Sequence, residues 1–214
     1  MTDFNLIQKI TIYAIPVLFA IIVHEVAHGW VASWFGDKTA RLAGRLTLNP
    51  LPHIDPVGTI IFPALSVALG GFIFGWAKPV PVDARNMRNP RWNMMVVAAA
   101  GPLANVVMAL IWAYILRFSA GLNEWFGVPL FLMGRVGIDI NIVLAILNFL
   151  PIPPLDGGRV LCSLLPPRLG WQLNRLEPYG FLILILLITT HVLQMILSPF
   201  FSALRNFVLL VAGI

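Results

Sequence analysis

The chain has 214 residues, of which 59% are apolar and 11% charged, and its mean hydropathy is +0.87. Soluble domains average roughly half and roughly a quarter for these two classes, so the composition excludes an ordinary soluble fold and indicates an integral membrane protein. The net charge of +5 does not point to nucleic acid, because the basic residues flank apolar segments instead of forming a stripe with interleaved aromatics; topology control by cytoplasmic Lys and Arg accounts for them.

The N-terminus, "MTDFNLIQKITIYAIPVLFAIIVHE", lacks a small-residue cleavage site followed by a polar mature start. It reads as the first helix, from Leu6 to about Phe35, and not as a removed signal. At 1.5 Å per residue such a helix extends roughly 45 Å, so one end protrudes or the helix tilts. Gly36-Asp37 ends it. "KTARLAGRLTLNPLPH" alternates Leu42, Leu46 and Leu48 with Arg41, Arg45 and Thr47, which predicts short strands shielded from lipid by protein. Val57–Ala77 is apolar but carries Pro63, Gly70 and Gly71, as a short broken span or a re-entrant segment would.

A polar linker, "KPVPVDARNMRNPR", leads to a helix from about Trp92 to Arg117, whose "AAAGPLANVVMA" permits close helix contact. A further helix runs from about Leu130 to Leu150 and stops in "NFLPIPPLDGGRV", where Pro151, Pro153 and Pro154 remove amide donors. The amphipathic "PPRLGWQLNRLEP" precedes a last apolar run, from about Tyr179 to Val211. The expected fold is an all-α polytopic membrane protein, one domain over residues 1–214. It has about five membrane-embedded segments and a small strand-containing loop after the first helix. The basic groups at Lys38–Arg45, Lys78–Arg91 and Arg159–Arg175 are all expected on the cytoplasmic side, which favours a re-entrant Val57–Gly75. The only cysteine, Cys162, rules out an intrachain disulfide.

Within the first apolar run stands "HEVAH". His24 and His28, four apart, project from one helix face about 40° apart, a spacing that suits two imidazoles on one Zn²⁺ with Glu25 beside them as general base. A charge at the bilayer centre costs on the order of 3 kcal/mol or more, so Glu25 needs a compensating role, which a metal and a water-filled cavity supply. Catalytic zinc usually has three protein ligands. The best remaining candidate is Asp156 in "PPLDGG", where the prolines break the helix and Gly157-Gly158 let the backbone turn, although the same residues also read as a simple turn.

"HEVAHGW" and "NFLPIPPLDGGRV" resemble the paired signatures of the site-2 protease family of intramembrane zinc metalloproteases. "NPLPHIDPVGT", "GWAKPVPVD" and "AAAGPLAN" resemble blocks of its short prokaryotic members, with Asp83 where Asn is expected. The resemblance, over about Ile22 to Val160, implies one zinc on His24, His28 and Asp156, with Glu25 as catalytic acid/base. It also implies a transmembrane protein substrate cut within or near the bilayer, a multi-pass chain in a prokaryotic plasma membrane, and no PDZ or CBS domain. Asn148 and His53 are candidate substrate contacts; a helix cap for Asn148 and a backbone-bonded loop histidine for His53 are equally open. Arg41–Leu48 is expected to hold unwound substrate by strand addition. Two other readings, a metal transporter and an inactive binding relative, fit less well. The polar residues concentrate in two motifs without an internal repeat, and a structural zinc has no need of Glu25.

Overall fold

The computed structural model describes residues 5–61 and 78–214. Helix α1 (Leu6–Trp34) opens on a reciprocal cap: the Asn5 side chain accepts from the Gln8 amide at 2.8 Å, and the Gln8 side chain accepts from the Asn5 amide at 2.9 Å. It closes at Gly36, whose φ of 106° an L side chain would resist, with Gly36 N donating to Ser33 O and Asp37 N to Ala32 O.

The residues after α1 correct the strand expectation: among the described residues there is no strand. Arg41 and Leu42 belong to a four-residue helix, α2 (Thr39–Leu42). The same cap recurs there, with Gly44 at φ 66°, Gly44 N donating to Arg41 O and Arg45 N to Ala40 O. The backbone groups a strand would offer to a neighbour are thus partly consumed locally. The alternation of Leu and Arg also has no sheet face to bury, since Leu42 is 85% and Leu48 55% exposed. A 3₁₀ turn at Leu51–His53 and a wide helical turn at Pro56–Ile61 follow. Whether Val57–Gly75 spans or re-enters lies outside the described residues.

Lys78 to Asp83 is extended, Ala84–Asn86 is a 3₁₀ turn, and α3 (Pro90–Ser119) and α4 (Glu124–Asn148) form an antiparallel hairpin. Gly134 lies against Leu116, Gly137 against the Trp112 indole, and Asn141 beside Asn105. Bare glycines on α4 let the large α3 side chains approach. The core is Ala109, Trp112, Ala113 and Leu116 of α3, Ile138 and Ile142 of α4, and Val208 and Ala212 of the last helix. Helix α1 packs on both members of the hairpin.

Past the proline cluster come α5 (Asp156–Leu164) and α6 (Pro167–Asn174). The last apolar run is two helices, α7 (Glu177–Thr189) and α8 (Val192–Ala212), broken at His191, which adopts φ 59°. At 13 residues α7 is short of the roughly 20 needed to span hydrocarbon. Four helices among the described residues, α1, α3, α4 and α8, are long and apolar enough to cross a membrane. The chain is therefore a multi-pass membrane protein.

Candidate metal centre

The 29-residue helix α1 carries His24 and His28 on one face, and their rings meet edge to face with centroids 4.6 Å apart. The third group comes from the far end of the chain. Asp156 is the first residue of α5, and Gly157 and Gly158 behind it sit against backbone: a Cβ on Gly157 would collide with Phe149 O, one on Gly158 with Pro153 N. A side chain at either position would force this backbone, and the start of α5 with it, to shift. Arg91 of α3 fixes the other end of α5, its guanidinium donating to Ser163 O at 2.7 Å, to Leu164 O at 3.3 Å and to Leu165 O.

The three side chains converge. His24 Nε2 and His28 Nε2 are 3.1 Å apart, and Asp156 Oδ2 lies 3.2 Å from the first and 3.3 Å from the second. All three residues are buried. His28 Nδ1 sits 2.7 Å from Val97 O, which only accepts, so that nitrogen carries the proton and a neutral His28 presents a bare Nε2. Asp156 Oδ2 is buried without a hydrogen bond despite these neighbours. A cation between the bare His28 Nε2 and the Asp156 carboxylate would satisfy both. A tetrahedral ion with bonds of about 2.0–2.1 Å separates its ligand atoms by roughly 3.3 Å, the edge seen here. The site fits zinc, with nitrogen and carboxylate donors on three corners and the fourth open.

Beside them is a cavity of about 200 Å³ lined by His24, His28, Asp156, Glu25, Asn148, Arg159, Pro79, Val80 and apolar residues of α3. Glu25, on α1 between the two histidines, accepts through Oε2 from Val80 N at 2.8 Å, so the extended Lys78–Asp83 segment fixes the end of its side chain. Two buried polar residues fasten that segment. Arg45 donates to Lys78 O at 2.7 Å, to Pro79 O at 3.1 Å and to Pro52 O. Asp37 accepts from the amides of Asp83 at 2.7 Å and Thr39 at 3.0 Å, from the Asn86 side chain at 3.0 Å and from the Thr39 hydroxyl. Burial opposes the charge on Asp37, but these donors outweigh it and hold its carboxyl below the usual carboxylate range.

Of the residues singled out in the sequence, His24, Glu25, His28, Asp156 and Asn148 meet at this cavity. Asn148, the last residue of α4, donates through Nδ2 to Leu144 O at 3.0 Å. His53 is not in the lining: it is 2% exposed, its Nε2 bonded to Thr47 O at 2.9 Å, and its carbonyl accepts from Lys78 N at 2.9 Å. The sequence assigned no role at this site to Asn105 or Asn141, and read Asp37 only as a helix end, Arg45 as part of an alternating segment and Arg159 as a cytoplasmic charge. Asn105 stands within "AAAGPLAN", a stretch that entered the sequence reading for its small residues and for its family resemblance, not for this side chain.

Two imidazoles, a carboxylate and a neighbouring glutamate are a set that a zinc metallopeptidase would use. Residues 12–137 match the model of peptidase family M50. A Bacillus subtilis protein named "Putative zinc metalloprotease YwhC" is 37% identical over 91% of this chain and 88% of its own. Two mycobacterial proteins of the same designation, both called Rip2, are similar as well. That of Mycolicibacterium smegmatis is 33% identical over 83% of this chain and 66% of its own length, that of Mycobacterium tuberculosis H37Rv 29% over 79% and 63%. No solved structure matches. The chain belongs to peptidase family M50, the site-2 protease family, and its metal is zinc. The matched span contains His24, Glu25 and His28 and ends before Asp156, whose place beside them rests on the geometry above.

Proposed function

We propose that the chain hydrolyses peptide bonds within or near transmembrane segments of other membrane proteins, with zinc on His24, His28 and Asp156 and with Glu25 as the acid/base. The observation that carries this reading is the convergence of the three ligand atoms beside Glu25 in a cavity among membrane-spanning helices. When bound, zinc supplies Lewis acidity, polarising a carbonyl and acidifying water.

The chain's own residues do the rest. Val80 N occupies Glu25 Oε2, which leaves Oε1 to take a proton from water and later return it to the departing amine. Asn148 spends one amide proton on Leu144 O, so its Oδ1 and second proton remain to orient substrate at the cavity wall. His53 acts at one remove, its carbonyl helping to seat Lys78 and the segment that holds Glu25. Substrate helices unwind locally, because an intact helix hides its carbonyl carbons. Bacterial relatives support a place in a prokaryotic plasma membrane.

The test is zinc content and cleavage of a panel of transmembrane peptides by wild type and Glu25→Gln. Both forms are expected to hold one zinc, with cleavage lowered about 10²–10⁴-fold in the variant and abolished in wild type by a chelator. Wild-type cleavage rates in Glu25→Gln, or no zinc uptake by either form, would overturn the reading.

A further inference from the structure

His24 Nδ1 does not meet a backbone carbonyl as His28 Nδ1 does. It lies 2.6 Å from Asn105 Oδ1, and both groups are buried. An imidazole beside a carboxamide is ambiguous in isolation, since either partner can donate. Here the ambiguity is removed from a distance. Asn141 Nδ2 is 2.8 Å from Gly137 O, a group that only accepts, so the amino side of Asn141 faces Gly137 and its oxygen faces α3. Asn105 Nδ2 donates to that oxygen at 2.9 Å and to Ala20 O, again acceptor only, at 3.0 Å. Both amino protons of Asn105 are thereby spent, and only its oxygen is left to face His24.

We infer that Asn105 and Asn141 are positioning residues for the zinc site: polarity set by the carbonyls of Gly137 and Ala20 passes through the two carboxamides and fixes the proton of His24 on Nδ1, leaving Nε2 bare for the metal. Turning either carboxamide over sets oxygen against oxygen inside the fold. Asn141 touches none of the ligands, yet it determines which way Asn105 faces. The relay joins α1, α3 and α4, and both asparagines are 0% exposed, so water does not offer His24 a substitute partner. The inference rests on His24 being a zinc ligand, as proposed above.

The test uses the full-length chain in detergent or nanodiscs and has two readouts. Zinc affinity is measured by competition with a chromophoric chelator. The His24 tautomer is read from ¹⁵N shifts of metal-free protein labelled at histidine, with His24→Gln for assignment. Asn105→Leu, which keeps bulk but offers no acceptor, is expected to weaken zinc about 10–100-fold, the usual cost of losing an outer-shell partner, and to move His24 off the pure Nδ1–H tautomer. Asn141→Leu is expected to do both to a smaller degree. Asn141→Asp, whose carboxyl at this fully buried position is protonated and so keeps both a donor for Gly137 O and the acceptor for Asn105 Nδ2, is expected to stay within about threefold of wild type. A purely structural role would lower thermal stability without moving the tautomer. Wild-type affinity and an unchanged tautomer in both Leu variants would overturn the relay while leaving the zinc site intact. Absence of zinc uptake by wild type would instead bring down the metal reading, and the relay's purpose with it. Should Asn105→Leu fail to fold, the Asn141 pair decides alone.

Discussion

A side chain at position 101 has nowhere to go. A Cβ there would collide with His28 Nε2 and stand 2.6 Å from His24 Cε1, so the α3 backbone forms one wall of the metal position. Gly101→Ala is expected to cost the protein its bound zinc even though alanine suits a helix interior better by about 0.8–1.0 kcal/mol. Metal analysis together with helical content by circular dichroism checks this; a full equivalent of zinc in a folded Gly101→Ala protein would show that the histidines can yield. The grouping of His24, His28 and Asp156 was legible because its signals are local: helical spacing pairs the two histidines, and prolines and glycines mark the turn that carries Asp156. Asn105 was not legible for the opposite reason. Its partners are His24, 81 positions away, and Asn141, 36 positions away, and a single asparagine in an apolar run has no spacing to betray it.

Among the elements, the extended Lys78–Asp83 segment has no ladder of its own and is held by two buried charged residues. Asp37→Asn keeps an oxygen for the three donors on Oδ1 but sets an amino group against the Asp83 amide that Oδ2 accepts from, at a cost of about 1–3 kcal/mol for a buried donor left unmet. Because the Asp37 carboxyl is held below its ordinary value, its contribution is complete above the unfolded carboxylate range near pH 4 and is lost as pH falls through the lower folded value. Thermal unfolding of wild type and Asp37→Asn in detergent should therefore show a Tm gap that is flat from pH 5 to 8 and closes in more acid solution; a gap independent of pH throughout would mean the charge contributes nothing. The strand expectation failed in this same region. Alternation of apolar and polar residues predicts a strand only where one face is buried, and here Gly44 turns the chain before Leu46 and Leu48 while the Arg45 side chain turns inward to brace Lys78 and Pro79.

At the scale of the whole molecule, the long helices were plain from hydropathy, whereas the break between α7 and α8 was not. It depends on one left-handed residue, His191, in "ITTHVL", which has no glycine or proline to announce it. The side of the membrane that carries α5 is open to a direct check, because Cys162 is the chain's single thiol and lies on that helix. With Arg159, Arg168 and Arg175 on the cytoplasmic side, an impermeant maleimide should label Cys162 in inverted vesicles and not in right-side-out ones; labelling only in the latter would reverse the topology. Burial, then the charge of Glu177, pushes the Cys162 thiol up, so the labelling rate should keep climbing with pH beyond the usual thiol range. One feature of the bundle separates two properties that a single active site normally binds together. His24, His28 and Asp156 face one another from helices, while the carboxylate of Glu25, though carried on α1, is tethered at its tip to Val80 on a segment outside them. A small molecule that wedges between Val80 and Glu25 would disarm the enzyme without stripping its metal, a mode of inhibition that chelating warheads do not provide.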